Sequence, residues 1–164
     1  MLSKINFLFV TLFGIGKIKK IPGSFASLIT TLFLFFLFHV LHISANVVLC
    51  FIIIIFFISL YAVNVFIKDL TNKDPKEVVI DEFIGQSIPI CLYEVAHNAH
   101  NDSYQILKYY FAMFVLFRIF DIFKPFPVSY YDRNFKNSFG VIMDDVCAGL
   151  YVVAVLVLYM VITS

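Results

Sequence analysis

VVLCFIIIIFFISLYAVNVFI, residues 47–67, decides the fold. The stretch contains no charge, no glycine and no proline. A helix needs roughly 20 predominantly apolar residues to cross a bilayer, and this run meets that length by itself. With Asn46 it is read as a membrane span over 46–67. Working outward, Ala26–Ile43 is a second apolar run of spanning character. Val78–Ala96 is apolar apart from Asp81, Glu82, Gln86 and Glu94. Tyr104–Phe123 is apolar apart from Gln105, Lys108, Arg118 and Asp121. Val141–Ile162 is apolar after Asp144 and Asp145. The expectation is an all-α integral membrane bundle of about five spans. The first ten or so residues, with Phe7, Phe9 and Phe13, read as a further interfacial helix.

Composition agrees. The chain has 164 residues, 62% hydrophobic and 14% charged, with a mean hydropathy of +0.95. Soluble domains are about a quarter charged. No linker, repeat or low-complexity tract divides it, so residues 1–164 read as one domain. Cys50, Cys91 and Cys147 each lie in an apolar run, which points to buried thiols rather than disulfides or a zinc site. No small-residue cleavage site follows a short apolar core, so no removable signal peptide is expected. The 21 phenylalanines and nine tyrosines have no basic groove beside them, which argues against nucleic acid as a partner. His39/His42 and His97/His100 have helical spacing but read as solvated loop histidines rather than a zinc site. No Walker loop, Ser-His-Asp arrangement or Rossmann glycine pattern is present.

Basic residues set the orientation. If the segment before the first span is cytoplasmic, then so are Lys4, Lys17, Lys19, Lys20, Lys68, Lys73, Lys76, Arg118, Lys124, Arg133 and Lys136. That is eleven of the twelve Lys and Arg, with Lys108 alone toward the other side. The spans then bring charge to one depth. In DPKE, Asp74 reads as an N-cap, Pro75 as the first helical residue and Glu77 as the partner of a capping box. That start places Asp81 and Glu82 about two turns into their helix. The fourth span is expected to end near Lys124, before Pro125. Asp144 and Asp145 open the fifth.

FRIFDIFKP, residues 117–125, is the sharpest part of this layer. Arg118 and Asp121 have the spacing of a simple helical ion pair. Lys124 has the reach to snorkel to headgroups. Asp144 and Asp145 complement a helix N-terminus. Each plain reading holds alone, but five carboxylates at one level repel and require cations. Hard oxygen ligands suit Mg²⁺. Arg118, Lys124 and Arg133 suit a phosphate. Together these are parts for phosphoryl transfer or phosphate hydrolysis. Gly85 and Gly149, one turn after Asp81 and Asp145, would allow close helix contact. In IPGSFAS, residues 21–27, the amides and the hydroxyls of Ser24 and Ser27 form either a phosphate cradle or a plain turn with a cap.

Three blocks resemble the phosphatidylglycerophosphatase A family of bacterial membrane lipid phosphatases. They are IPGSFAS, VIDEFIG at 79–85, and FRIFDIFKPFPVSYYDRNFKNSFGVIMDDVCAG at 117–149. The resemblance implies Mg²⁺-dependent removal of phosphate from phosphatidylglycerophosphate, giving phosphatidylglycerol, in the bacterial inner membrane with the site on the cytoplasmic side. It makes Asp81, Glu82, Asp121, Asp144 and Asp145 the matching acidic residues, and Arg118, Lys124 and Arg133 the basic ones. Chemistry then suggests Asp81, Glu82, Asp144 and Asp145 as metal ligands or water-positioning groups, with Arg118, Lys124 and Arg133, helped by Ser24 and Ser27, on the phosphate. Asp121 either orients Arg118 or acts as general base. Water attacks phosphorus directly, or a carboxylate forms a phosphoenzyme. Two departures stand out. The family's first block tends to read Pro-Gly-Thr-x-Gly-Ser, whereas this chain has Ala26; and Asn137-Ser138-Phe139 replaces paired glycines. Both are expected in loops. A lipid phosphotransferase is the rival enzyme, but no extended D-G-x-x-A-R signature is present. A cation transporter is the rival from another class, and would need carboxylates along a through-path. Oligomeric state is not legible.

Overall fold

In a computed structural model the protein is all-α. The structure describes residues 2–68, 70, 75–97 and 103–163. These form seven α-helices: α1 (Leu2–Val10), α2 (Pro22–His39), α3 (Ala45–Ile67), α4 (Ile80–His97), α5 (Ser103–Phe123), α6 (Val128–Asn134) and α7 (Ser138–Thr163), with a 3₁₀ turn at Ile15–Lys17. Three of them, Pro22–His39, Ala45–Ile67 and Ser138–Ile162, are long and apolar enough to cross a membrane. Helices α4 and α5 have 18 and 21 residues, but each carries three charged side chains.

The central helix is α4, which packs against α2, α3, α5 and α7. It crosses α7 at Gly85 and Gly149. A β-carbon on Gly85 would lie 2.6 Å from the Asp145 carbonyl oxygen, and one on Gly149 would lie 2.4 Å from that of Gly85. Only glycine permits this backbone contact, as the spacing predicts. Around the crossing, Ile90, Tyr110, Met113, Phe117, Ala148 and Val152 form one core, and Ala62, Val63, Ile80, Ile84 and Ile142 another. Phe36, Phe51, Phe57, Phe111 and Val161 face outward, giving the bundle an apolar exterior suited to lipid. Helix α1 docks on α3 through buried Val10 and an Asn6 amide donating to the Ala62 carbonyl at 3.0 Å.

Of the three cysteines expected to be buried, Cys91 and Cys147 are, and Cys50 is exposed. Two further local expectations are corrected. Helix α4 does not begin in DPKE. Pro75–Glu77 is a turn, closed by Val78 N–H donating to the Pro75 carbonyl at 3.0 Å, and Val79 N–H donates to the Val10 carbonyl at 3.0 Å. This bond to another segment takes the backbone out of helix, so Asp81 and Glu82 stand in the first turn of α4. Asp74 lies outside the described residues. The two departures from the family pattern are not loop features either. Ala26 is inside α2, which starts at Pro22, and its carbonyl accepts from Thr30 Oγ1 at 2.8 Å. A helical position asks for no glycine freedom. Asn137 caps α7, its Oδ1 accepting from Gly140 N–H at 3.0 Å.

Candidate active site

The start of α2, the start of α4, the end of α5 and the start of α7 meet at one end of the bundle. Between them lies a cavity of about 460 Å³ lined by Gly23, Ser24, Asp81, Glu82, Arg118, Asp121, Lys124, Asp144 and Asp145, among others. Local backbone explains the convergence. Ile21 takes a left-handed φ of 48° and Pro22 opens α2, so the chain turns sharply and Gly23 faces α4. A β-carbon on Gly23 would lie 2.0 Å from Glu82 Oε1 and 3.3 Å from an Arg118 nitrogen. Lys124 also takes a left-handed φ, 44°, directly after α5. Such conformations cost free energy and gather where a site requires them.

Asp81, Glu82 and Asp145 each bring a carboxylate oxygen within 4.8 Å of the others. Asp81 and Asp145 are buried, at 7% and 3% exposure. Glu82 Oε2 and Asp145 Oδ1 are buried without a hydrogen-bond partner. Orphaned, desolvated carboxylate oxygens are costly unless a cation satisfies them. The donor set therefore fits a hard divalent ion.

The other ionisable groups stand in pairs. Arg118 binds Asp121 at 2.7 Å and donates to Ser27 Oγ at 3.3 Å, while its buried Nε has no partner. Lys124 Nζ binds Asp144 at 2.6 Å and Asp132 at 2.7 Å, tying the end of α5 to α6 and α7. Partial burial pulls the Lys124 ammonium down, but Asp144 and Asp132 outweigh it and hold the pKa above the ordinary lysine value. Partial burial likewise pushes the Asp132 carboxyl up, and the hydrogen bond and charge of Lys124 outweigh that, leaving it below the ordinary value.

The expected residues thus divide. Asp81, Glu82 and Asp145 form the acidic group, while Asp144 turns to Lys124. Ser24 lines the cavity; Ser27 is fully buried and supports Arg118. Arg133 is exposed on α6 and does not line the cavity. Sequence reasoning missed Lys19 and Lys76 as lining residues and Asp132 as a partner of Lys124. The basic pattern marked both lysines for topology alone, and nothing in the sequence distinguished Asp132. At the opposite end of the bundle, Glu94 Oε1 accepts from Tyr110 Oη at 2.9 Å and lies 3.2 Å from His39 Nε2. His39 is therefore paired within the bundle, and not a solvated loop histidine.

Comparison with known proteins adds identity to this geometry. A phosphatidylglycerophosphatase A of Haemophilus influenzae is 34% identical over 155 residues, spanning 94% of this chain and 88% of the relative. A Bacteroides thetaiotaomicron protein described as a candidate phosphatidylinositol-3-phosphatase is 34% identical over 141 residues, spanning 85% and 83%. The Escherichia coli phosphatidylglycerophosphatase A is 34% identical over 93 residues, 57% of this chain and 49% of the relative. No solved structure matches. The family model for phosphatidylglycerophosphatase A matches residues 8–160, a range that takes in every cavity-lining residue, and the chain belongs to that family.

Proposed function

We propose that this chain is a five-span, single-domain enzyme of the bacterial inner membrane, that its site faces the cytoplasm, and that Asp81, Glu82 and Asp145 hold Mg²⁺ for its reaction. The reaction itself follows from the family. The chain is a phosphatidylglycerophosphatase, a phosphoric monoester hydrolase that converts phosphatidylglycerophosphate to phosphatidylglycerol in phospholipid synthesis. The observation that carries the metal reading is the meeting of three carboxylates with two orphaned buried oxygens.

Helices α4 and α5 count as spans because Asp81, Glu82, Arg118 and Asp121 turn to the cavity, Glu94 pairs inside the bundle, and α4 is wrapped by other helices, leaving Lys108 as the one exposed charge on either helix. The distribution of Lys and Arg supports a cytoplasmic position for the cavity end. That depth suits the chemistry: the phosphate sits among headgroups while the acyl chains stay in the bilayer.

When bound, the cation supplies Lewis-acid polarisation of the phosphoryl oxygens. The protein's own groups do the rest. Asp121 and Ser27 both engage one guanidinium nitrogen of Arg118, Nη1, leaving the rest of the group to meet the charge that builds on the phosphoryl oxygens. This pairing favours the orienting role for Asp121. Lys124 uses two of its three N–H donors on Asp144 and Asp132, and the third is available to the phosphate. Asp144 positions Lys124. Ser24 offers a hydroxyl at the start of α2.

The test is phosphate release from phosphatidylglycerophosphate by purified protein in detergent, with and without Mg²⁺, beside an Asp145→Asn variant shown to be folded. Release that requires Mg²⁺ and disappears in the variant supports the reading. Full release in a chelator, or from Asp145→Asn, refutes it. Phosphatidylinositol 3-phosphate, offered in parallel, tests the activity named for the Bacteroides relative.

A further inference from the structure

We infer that Lys19 and Lys76 form a second phosphate subsite, which takes the phosphodiester of the substrate headgroup while the acidic group and Arg118 handle the monoester. This rests on the headgroup-phosphatase reading above and adds the feature by which the cavity recognises a lipid carrying two phosphates.

The cavity, about 460 Å³, is far larger than its reacting group requires. A water molecule occupies about 30 Å³ and a phosphate a few times that. Its cations differ in their partners. At the end of α5 each already faces carboxylates: Arg118 faces Asp121, and Lys124 faces Asp144 and Asp132. Lys19 and Lys76, which also line the cavity, have no acidic partner among the described residues. Both are exposed at the rim.

Their backbones are held together. Gly16 packs so closely on the Pro75–Glu77 turn that a β-carbon there would lie 1.9 Å from the Glu77 carbonyl oxygen. Just after the turn, the Val79–Val10 hydrogen bond at 3.0 Å ties this segment to α1. The two lysines therefore project from segments in direct contact. Nearby Lys17 is used otherwise, its Nζ lying 4.6 Å over the Phe7 ring.

The division suits the ligand. A monoester carries up to two negative charges and undergoes bond cleavage, so it belongs beside a divalent cation and Arg118. A diester carries one charge, is not cleaved, and lies where headgroup joins diacylglycerol. Two compact ammonium groups at the rim match a diester at that position.

The test uses dihexanoyl-phosphatidylglycerol, which has the diester and no monoester, so binding is read without turnover. The full chain in detergent is titrated as wild type, Lys19→Ala/Lys76→Ala and Lys19→Arg/Lys76→Arg. The alanine pair is expected to bind about tenfold more weakly, and the arginine pair within about twofold of wild type. Inhibition by phosphatidic acid, which has a monoester and no diester, stays as in wild type. In turnover of phosphatidylglycerophosphate the loss falls on KM rather than kcat. Unchanged binding of the diester lipid overturns the subsite. So does an equal loss for phosphatidic acid, because the lysines would then only attract anionic lipid. If wild type fails to hydrolyse phosphatidylglycerophosphate yet the alanine pair still loses the diester lipid, the phosphatase reading fails and the subsite stands.

Discussion

Gly149 rests on the carbonyl of Gly85, so close that a β-carbon on Gly149 would lie 2.4 Å from that oxygen. The obstructing atom is backbone, so neither helix can yield locally. Gly149→Ala should separate α4 from α7 and destabilise the bundle by about 1–3 kcal/mol, the usual cost of overpacking. Thermal unfolding in detergent reads this directly. An unchanged midpoint would mean that the crossing is looser than the structure has it.

Gly23→Ala makes the opposite prediction. Its β-carbon would meet Glu82 Oε1, the end of a flexible side chain, at 2.0 Å. The carboxylate moves aside and the fold survives. Misplacing a group by about 1 Å in a reacting site can cost roughly 10²-fold in rate, and Glu82 is one of the proposed metal ligands. The variant should therefore keep its melting temperature and lose most activity. Equal losses of both would make Gly23 a packing residue only.

The Lys124–Asp132–Asp144 junction gives a pH dependence. The folded pKa of Asp132 lies below its unfolded value, so its contribution is present above about pH 4 and fades as pH falls through the folded pKa. The folded pKa of Lys124 lies above its unfolded value, so its contribution is complete below about pH 10 and fades as pH rises through the folded pKa. Between those limits the junction is indifferent to pH. Asp132→Asn should lower stability slightly at neutral pH, because solvent screens the pair, and should reduce the acid sensitivity. Melting temperatures from pH 3 to 8 check both effects. A loss that grows between pH 6 and 8 would contradict the assignment.

The polar cluster at the far end should matter to folding alone. Tyr110→Phe removes the 2.9 Å hydrogen bond to Glu94 and leaves the cavity untouched. It should cost about 1–2 kcal/mol, with wild-type kcat in the folded fraction. A lower kcat in folded protein would tie this cluster to the chemistry.

Some of this was open to sequence reading and some was not, for definite reasons. The span read at 46–67 agrees with α3 to within one residue, because so long an apolar stretch leaves the chain no alternative. Gly85 and Gly149 were legible because close helix contact demands small residues. DPKE misled because capping rules are local, whereas contacts with Val10 and Gly16 come from elsewhere in the chain. Asp144 and Asp145 could not be told apart from sequence. Neighbours on a helix point about 100° apart, and the rotation of α7 against α4 and α5 determines which one meets Glu82 and which meets Lys124. Lys19 and Lys76 read from sequence only as topology signals, because nothing in their own segments shows that those segments touch.

The central claim is that Asp81, Glu82 and Asp145 hold one divalent cation and Asp144 does not. The most direct measurement is titration of the detergent-solubilised chain with Mn²⁺, a spectroscopic stand-in for Mg²⁺, followed by electron paramagnetic resonance. Asp81→Asn, Glu82→Gln, Asp145→Asn and Asp144→Asn are compared with wild type after each is shown to be folded. The expected result is a site that competes with Mg²⁺ in wild type, persists in Asp144→Asn, and is weakened by about tenfold or more in the other three. Equal binding by all five proteins, or loss only in Asp144→Asn, would contradict it.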